Sequence, residues 1–449
     1  MDPRHTTWVG SDRFVPRNFV RPFVRFTRIE AASGIVLLIA AIAAIVWANS
    51  PWSETYFSIL ESHISVELPG IHFEETVQDF INDGLMAIFF FVVGLEIKRE
   101  LVVGDLRDPR AAALPVMAAL GGMILPALIF ITFNAGAGDE AIRGWGIPMA
   151  TDIAFALGVV ALLGSRVPSA AKLFLLAVAI ADDIGAIAVI AIFYTESLSA
   201  GFLAAAVGAL ILLWIATKIG IRTSLFYAPI AFVIWYLVLE SGVHATLAGV
   251  AVGFLTPARA LYNPEEFDTR ARQILDEYPV DTSNDHNQEH SDHEALLLAE
   301  IAREAVSPLN RAEHHLVGWS SFFIVPLFAL ANAGVDFRQI DITVALTSGV
   351  ALGVAIGLVV GKILGITAFT YAAVKLKLGS LPLGTGWSQI WGLAAVAGIG
   401  FTVSLFIAGL AFNDPVLTEY AKVGIFTGSL VAGIIGAAVL LRAKPPSEL

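Results

Sequence analysis

The feature that most constrains this chain is a series of apolar runs that recurs from residue 33 to residue 441. A helix needs about 20 consecutive apolar residues to span the hydrocarbon core of a bilayer. With 57% apolar and 15% charged residues, the chain is also far more apolar than a soluble globular protein. The runs predict an all-α polytopic membrane protein with about twelve transmembrane helices. We place the spans at 33–49, 80–97, 111–134, 142–163, 169–194, 199–217, 223–239, 243–257, 315–334, 346–374, 387–412 and 419–441.

The distribution of Lys and Arg gives these spans an orientation, because short loops rich in these residues stay in the cytoplasm. The segment before the first span is rich in Arg, whereas the connection 50–80 contains no Lys or Arg. The same alternation continues along the chain, and only Arg143, Arg338 and Lys422 fall on the opposite side. We therefore predict an even number of spans with both termini in the cytoplasm.

The membrane domain is assigned to residues 33–442. Residues 1–32 form an Arg-rich cytoplasmic arm, which lacks the apolar core and cleavage site of a signal peptide. Residues 443–449 form a short cytoplasmic tail. Because the chain has no cysteine, a disulfide scaffold, a cysteine metal site and a thiol nucleophile are excluded. No basic patch indicates nucleic acid as a partner.

Two connections between spans need separate interpretation. The outer connection Pro51–Asp79 has short alternating patches, which favour either a small hairpin or a solvated loop. The inner connection 258–308 is acidic, polar and poor in aromatic residues, so we expect a flexible cytoplasmic loop with at most a short helix from Ser291 to Val306. Its histidines have a spacing that suits metal binding or pH sensing, but a flexible loop gives them no rigid scaffold. They are His286, His290 and His293.

The fourth span carries a carboxylate at a point where its helix is expected to break. Thr151 and Asp152 come shortly after Pro148 and lie between Gly146 and Gly158. Proline removes a backbone donor and glycine tolerates unwound geometry. Unwound backbone at membrane depth is tolerated where it lines a polar cavity. Asp152 is therefore a candidate ion site; the alternative is a straight helix in which Asp152 hydrogen-bonds a neighbouring helix.

The fifth span carries two adjacent aspartates, Asp182 and Asp183. A carboxylate in mid-membrane costs roughly 2.5–3.5 kcal/mol on insertion scales, so such residues indicate a functional site. Neighbouring positions on a helix point about 100° apart, so the two side chains cannot share one face. Two carboxylates in a low dielectric also resist being ionised together. A cation that binds the ionised pair expels protons, and returning protons expel the cation, which makes the pair a predicted exchange site for Na+.

Lys362 is the one basic residue deep inside an apolar span, in LVVGKILGITAF. A buried lysine either pairs with a carboxylate or loses its proton. We expect it to pair with Asp182 or Asp183, and the sequence does not decide between them. If an ion competes for that carboxylate, Lys362 takes part in the switch.

The eleventh span has a similar interruption, because Gly398, Ile399, Gly400, Phe401 and Thr402 lie in the middle of its apolar run. Corresponding interruptions in two halves of a transporter indicate a binding site built on discontinuous helices that cross. A face of small residues for helix packing is the alternative.

Charged residues also lie near the ends of the spans. Glu96 and Glu100 are at the inner end of the second span, and Glu313 is at the inner start of the ninth. Ordinary interfacial charge explains these positions. His244 is either a packed polar residue or a regulatory one.

Several segments, taken in order, resemble the NhaA family of sodium/proton antiporters over residues 30–442. The similar segments are FFFVVGLEIKREL, ATDIAFALGVVALLGSRVP, AIADDIGAIAVIAIFY, SGVHATLAGV, PLFALANAGV, GKILGI and GIGFTVSLFIAGLAF. The resemblance implies twelve helices with inverted repeats, in which the fourth and eleventh are discontinuous and cross near the midplane.

The resemblance also implies roles for particular residues. Asp182 and Asp183 would bind the ion and carry the protons, and Lys362 would match the lysine of the tenth span. Thr151 and Asp152 would lie in the unwound segment, with Gly398, Gly400 and Thr402 in the facing one. The acidic cluster that senses pH would map to Glu96, Glu100 and Glu313, with His244 as a further candidate.

As a whole, the resemblance implies electrogenic, pH-regulated exchange of Na+ or Li+ for H+, with no cofactor, in a bacterial inner membrane and often as a homodimer. The acidic connection and the Arg-rich arm are longer than in the family pattern. Both are predicted near the pH sensor, so they affect the expected pH set point and leave the exchange chemistry unchanged.

Two other classes of protein use buried aspartates. An intramembrane aspartyl protease needs two carboxylates that share a proton, and Lys362 would hold one of them ionised. A sodium-coupled symporter of an organic solute is the closer alternative. It would need a pocket with more polar residues than this core offers.

Overall fold

The computed structural model describes residues 32–68, 71–195, 198–278, 285–338 and 340–443, which are mostly helical. The first helices are α1 (Ala32–Ala48), α2 (Ser53–Glu61), α3 (Val77–Val102), α4 (Pro109–Asn134), α5 (Asp139–Met149), α6 (Ile153–Leu162), α7 (Ser169–Phe193), α8 (Ala200–Ile219), α9 (Ser224–Glu240) and α10 (Thr246–Leu255). The remaining helices are α11 (Pro264–Glu277), α12 (Asp285–Glu304), α13 (Pro308–Asn332), α14 (Ile342–Thr347), α15 (Gly349–Lys375), α16 (Trp387–Val396), α17 (Phe401–Ala411) and α18 (Pro415–Arg442).

Seven helices in this described part are long and apolar enough to cross a membrane alone, namely α3, α4, α7, α8, α13, α15 and α18. Three bent pairs raise the number to at most ten: α1 with α2, α5 with α6, and α16 with α17. The prediction of an all-α polytopic membrane protein is confirmed. Twelve crossings stay a prediction, because α9 and α10 are apolar but too short to pass the same length test.

The sequence left a small hairpin or a solvated loop open for the outer connection, and the structure shows the hairpin. After α2, strands β1 (His63–Leu68) and β2 (Ile71–Thr76) pair antiparallel, with His63 opposite Thr76 and Leu68 opposite Ile71. The chain turns by 111° between α1 and α2, so α2 does not continue the direction of α1.

The inner connection 258–308 is more helical than the flexible loop with one short helix that the sequence predicted. Helix α11 occupies Pro264–Glu277, and the expected short helix from Ser291 to Val306 is instead α12, which begins at Asp285. Asn263 caps α11 by accepting from the Glu266 amide, while the Glu266 carboxylate accepts from the Asn263 amide. This capping box, followed by proline at the first helical position, is a helix-start signal that composition alone conceals.

Some predicted features fall outside the described residues. These are residues 1–31 of the N-terminal arm, residues 444–449 of the tail and the side chain of His286. Nearby, His290 Nδ1 lies 4.0 Å from Glu294 Oε1. Nowhere in the described ranges do three His, Asp or Glu side chains come together as a metal site.

Glycines bring the central helices into close backbone contact. Gly121 of α4 and Gly365 of α15 face each other so closely that a Cβ on either would overlap the other's backbone. Gly249 of α10 likewise packs on the backbone of Ala87 in α3. In α15 the turn Gly357–Gly361 is π-helical and ends immediately before Lys362. Because π-helical turns often accompany functional sites, this one marks the position of the lysine.

Candidate functional site

The helix break predicted in the fourth span lies between α5 and α6, which are bent by 41°. The turn Gly144–Met149 is a 3₁₀-helix that contains Pro148, and Ala150 is extended. Asp152 is the N-cap of α6, and its Oδ1 accepts the Phe155 amide at 3.0 Å. The proline and the capping carboxylate together explain why the helix stops and restarts here.

A second break separates α16 from α17, which are bent by 48°. The two breaks lie against each other, because the Asp152 amide donates to the Ile399 carbonyl at 2.7 Å. Asp152 Oδ2 also accepts from the Thr402 amide at 3.1 Å and from the Thr402 hydroxyl at 2.6 Å. The Asp152 carboxylate therefore binds the N-termini of both α6 and α17, where helix dipoles favour negative charge.

Thr151 joins the first break to α7 and α15. Its hydroxyl lies 2.8 Å from both Asp182 Oδ2 and the Ala397 carbonyl, and it accepts from Lys362 Nζ at 2.9 Å. The Ala397 carbonyl faces Thr151 because the second break exposes it. A single hydroxyl thus connects four separate parts of the chain.

Lys362 forms an ion pair with Asp182, with Nζ 2.6 Å from Oδ2. Each side chain is only 1% exposed. Burying two charges is costly, so such a pair is favourable only with good geometry and further hydrogen bonds, which Thr151 supplies here. Between the two aspartates that the sequence left open, the structure pairs the lysine with Asp182.

Asp183 has different surroundings. Its side chain is 7% exposed, and within the described part of the chain it makes no hydrogen bond or ion pair. The Oδ1 atom of the neighbouring Asp182 is also buried, and it has no hydrogen-bond partner among the described residues. Buried polar oxygens without partners are rare and require an explanation. Carboxylate oxygens are hard ligands, so these two groups have the chemistry to bind a hard cation.

The acidic residues at the inner end of α3 lie near α13. Arg99 forms an ion pair with Glu313, and Arg99 Nε lies 3.5 Å from Glu100 Oε1. Glu96 is one turn before Glu100 and interacts electrostatically with Glu313 and Arg99. The predicted set of Glu96, Glu100 and Glu313 is thus brought together around one arginine.

His244 does not join this acidic cluster. Helix α10 runs parallel to α3, since Gly249 packs on Ala87 while Lys98 donates to the Thr256 carbonyl near the other end. His244 therefore lies beyond the start of α10, more than about 15 Å from the acidic end. Its Nε2 is 2.8 Å from the carbonyl oxygen of Tyr194, where α7 ends.

Two residues of this region were missed by sequence reasoning. Ser404 is fully buried and donates to the Ile147 carbonyl at 2.8 Å, which ties α17 to the segment before the first break. Tyr194 donates to the Arg143 carbonyl at 2.7 Å and accepts from the Gly146 amide at 3.3 Å. The signal for Ser404 is a serine one turn after Gly400 in an apolar run; Tyr194 gives no comparable signal.

Comparison with known proteins assigns this chain to a family. Residues 24–440 match the sequence model of the family described as Na+/H+ antiporter 1. The Na(+)/H(+) antiporter NhaA of Oleidesulfovibrio alaskensis is 45% identical over 95% of this chain and 96% of its own length. Proteins of the same name from Koribacter versatilis and Anaeromyxobacter sp. are 46% and 47% identical over 94% of this chain, covering 92% and 91% of theirs. The chain therefore belongs to the NhaA family of Na+/H+ antiporters.

Proposed function

We propose that this protein is a secondary transporter that exchanges Na+ or Li+ for H+, with Asp182 and Asp183 as the residues that bind the cation and the protons. The observation that carries this proposal is a pair of buried carboxylates, of which Asp182 Oδ1 and the Asp183 carboxylate have no hydrogen-bond or ion-pair partner among the described residues. Membership of the antiporter family supports the same activity. The protein is a transporter and not an enzyme.

In this mechanism Na+ and protons compete for the same oxygens. When Asp183 and Asp182 are ionised, their free oxygens take up Na+, and the cation compensates the charge that the low dielectric penalises. When protons return to the carboxylates, the cation loses its ligands and leaves. Only one of the two occupants can be present at a time, which is the requirement for exchange.

Lys362 takes part in the switch through its contact with Asp182. The ammonium group satisfies Asp182 Oδ2 in the absence of the cation. A cation at Asp182 repels the ammonium group and weakens this contact, which favours release of a proton from Lys362. Binding of one Na+ then releases protons from more than one site. Because the charges carried in the two directions are unequal, the exchange is electrogenic.

Asp152 supports the site and does not carry ions. Both of its oxygens are already occupied by donors, namely Phe155, and the amide and hydroxyl of Thr402. Thr151, Gly398 and Gly400 belong to the same two breaks, which we propose cross near the midplane of twelve spans with inverted repeats. Movement of one break against the other would open the site to either side.

The remaining assignments are part of the same proposal. The Arg99-centred cluster of Glu96, Glu100 and Glu313 senses cytoplasmic pH, and His244 contributes at the other side of the membrane. The protein resides in a bacterial inner membrane with both termini in the cytoplasm, works as a homodimer and needs no cofactor. Domain limits stay as predicted, at 1–32, 33–442 and 443–449.

The test is collapse of a pH gradient in everted membrane vesicles when NaCl or LiCl is added, from about pH 6 to about pH 9. The host should lack its own sodium/proton antiporters. We expect Na+ to restore the quenched fluorescence of a pH probe with the parent protein and with Asp292→Asn, which changes an exposed aspartate of α12. We expect no response with Asp183→Asn. A parent protein that is inserted and folded but responds to neither cation at any pH would refute the antiporter assignment.

A further inference from the structure

A groove opens at the side of the molecule between α15 and α16, away from the exchange site. Its volume is about 400 Å³. The groove is lined by Leu364, Thr367, Ala368, Tyr371, Trp387 and Trp391. None of these residues touches the carboxylate site described above. The groove therefore needs an explanation of its own.

The side chains that line the groove are mostly apolar, and its three aromatic side chains each carry one polar group. The rings of Tyr371 and Trp387 contact each other at a centroid distance of 5.6 Å with 57° between their planes, and both side chains are exposed, as is that of Trp391. Within the described ranges their hydroxyl and indole N–H groups make no hydrogen bonds. Aromatic residues of this kind concentrate where the acyl chains of a bilayer meet the headgroups. The open end of the groove is thus expected at headgroup level.

Two lysines lie at that end. Lys375 is one turn beyond Tyr371, and helical residues four apart share a face, so the α15 wall of the groove leads directly to Lys375. Lys377 follows two residues later, and both lysines are exposed. The sequence from residue 342 to residue 413 contains no Asp or Glu, and neither lysine has an ion-pair partner among the described residues. The positive charge at the mouth is uncompensated.

The two lysines occupy different positions relative to the end of α15. A cation in the last turn of a helix is favoured by the helix dipole, and this explains Lys375 without any ligand. Lys377 lies beyond the helix end and has φ of 58°, a left-handed conformation in which glycine is less strained. Both lysines also belong to the positively charged cytoplasmic connections of the chain, and such residues attract anionic headgroups in that leaflet.

One polar atom lies behind the wall of the groove. The Thr367 hydroxyl oxygen is buried and has no hydrogen-bond partner within the described residues. It sits two turns from Lys375 towards the centre of the membrane. Because this oxygen is itself covered by protein atoms, it offers no hydrogen bond to an occupant of the groove, and the surface that the occupant meets is almost entirely apolar.

We propose that this groove is a binding site for one anionic phospholipid, with an acyl chain between α15 and α16 and its phosphate group at Lys375 and Lys377. Basic pockets between transmembrane helices on the cytoplasmic side bind lipid headgroups in this way. The site goes beyond ion exchange and depends on the proposed orientation only for the choice of leaflet.

The position of the groove connects lipid binding to the exchange site. Helix α15 carries Lys362, and α16 leads into the break whose Ala397 carbonyl contacts Thr151. A lipid seated between the two helices therefore contacts α15, which carries Lys362, and α16, which ends one residue before Ala397. Its occupancy stabilises the spacing of α15 and α16.

The experiment is native mass spectrometry of the purified, delipidated protein in detergent. Phosphatidylglycerol and phosphatidylcholine with identical acyl chains are added stepwise, and the dissociation constant of the first bound lipid is measured. We expect tighter binding of phosphatidylglycerol. Loss of each lysine charge should weaken it about fivefold, so Lys375→Gln with Lys377→Gln should remove most of the preference. The charge-matched control, Lys172→Gln with Lys218→Gln, should keep it.

A second variant tests the groove itself. Ala368→Trp fills the groove and should weaken binding of both lipids, and excess glycerol 3-phosphate should not displace the lipid, since it lacks the acyl chain. Thermal unfolding confirms that each variant is folded. Equal binding of the two lipids by the parent, or unchanged binding in both groove variants, would overturn the proposal. Loss of dimers in Ala368→Trp without loss of lipid would instead make the groove an interface between copies.

Discussion

Asp182 and Asp183 are adjacent in the chain, yet their carboxylates differ in their bonding. Lys362 and Thr151 bind Asp182 Oδ2, whereas Asp183 makes no such contact within the described residues. The sequence predicted that a buried lysine pairs with one of them. It did not decide which, because the answer depends on the rotation of α7 relative to α15, and adjacent residues differ by about 100°.

Removing the lysine of this pair should be costly. Lys362→Gln leaves Asp182 buried without its counter-charge, so we expect a loss of about 3–5 kcal/mol in unfolding free energy and loss of exchange. Lys362→Gln combined with Asp182→Asn should recover most of the stability, because no unpaired charge remains. Exchange should stay impaired in the double variant. Unfolding in a detergent series and vesicle transport measure the two effects.

A surface pair provides the comparison. Arg272 and Asp268 form an ion pair with side chains that are 75% and 61% exposed. We expect Arg272→Gln to change neither stability nor exchange, since exposed pairs contribute little. A Lys362→Gln protein as stable as this control would show that the buried pair is not required for folding.

At the scale of single elements, the two helix breaks were the part that the sequence predicted best. Pro148 and the run from Gly398 to Thr402 located both of them. The contacts between the breaks were not predictable, since the Ile399 and Ala397 carbonyls are backbone groups whose partners depend on how the helices pack. Nor did composition reveal the π-helical turn before Lys362 or the helix α11, which lies in a polar segment.

Glycine at the second break should be indispensable. A Cβ on Gly400 would lie 2.9 Å from the Ala150 carbonyl and would overlap the Ser404 hydroxyl. Gly400→Ala should therefore push α17 away from the first break, lower unfolding free energy by about 1–3 kcal/mol and reduce exchange.

The matched control for this change lies inside α17, the helix that Gly400 precedes. A Cβ on Gly409 meets nothing within 4 Å, so Gly409→Ala should be neutral or slightly stabilising. Thermal unfolding and vesicle transport on both variants make the comparison. Equal behaviour of the two alanine variants would contradict the close contact between the breaks.

At the scale of the whole molecule, the apolar runs and the Lys and Arg distribution predicted a polytopic bundle and its orientation. The packing of the bundle was less accessible, because it depends on close backbone contacts such as those of Gly121 with Gly365. Single glycines in apolar runs do not reveal their partners.

The orientation is directly testable, because the chain has no cysteine to remove. Single cysteines at Lys218 and Asp276 should react with a membrane-impermeant maleimide only in everted vesicles. Cysteines at Gly136 and Trp52 should react only in intact cells, since these positions are predicted on the outer side. Labelling of all four positions from the same side would invalidate the predicted topology.

The contact between Thr402 and Asp152 joins residues that are 250 positions apart in the chain. During synthesis, Asp152 reaches the bilayer long before its partner has been translated, by roughly 12–50 s at ordinary elongation rates. Throughout that interval the Asp152 carboxylate has the local Phe155 amide as a donor but lacks both donors of Thr402. Until the eleventh span has been translated, water or the insertion machinery has to supply the hydrogen bonds that Thr402 provides in the folded protein.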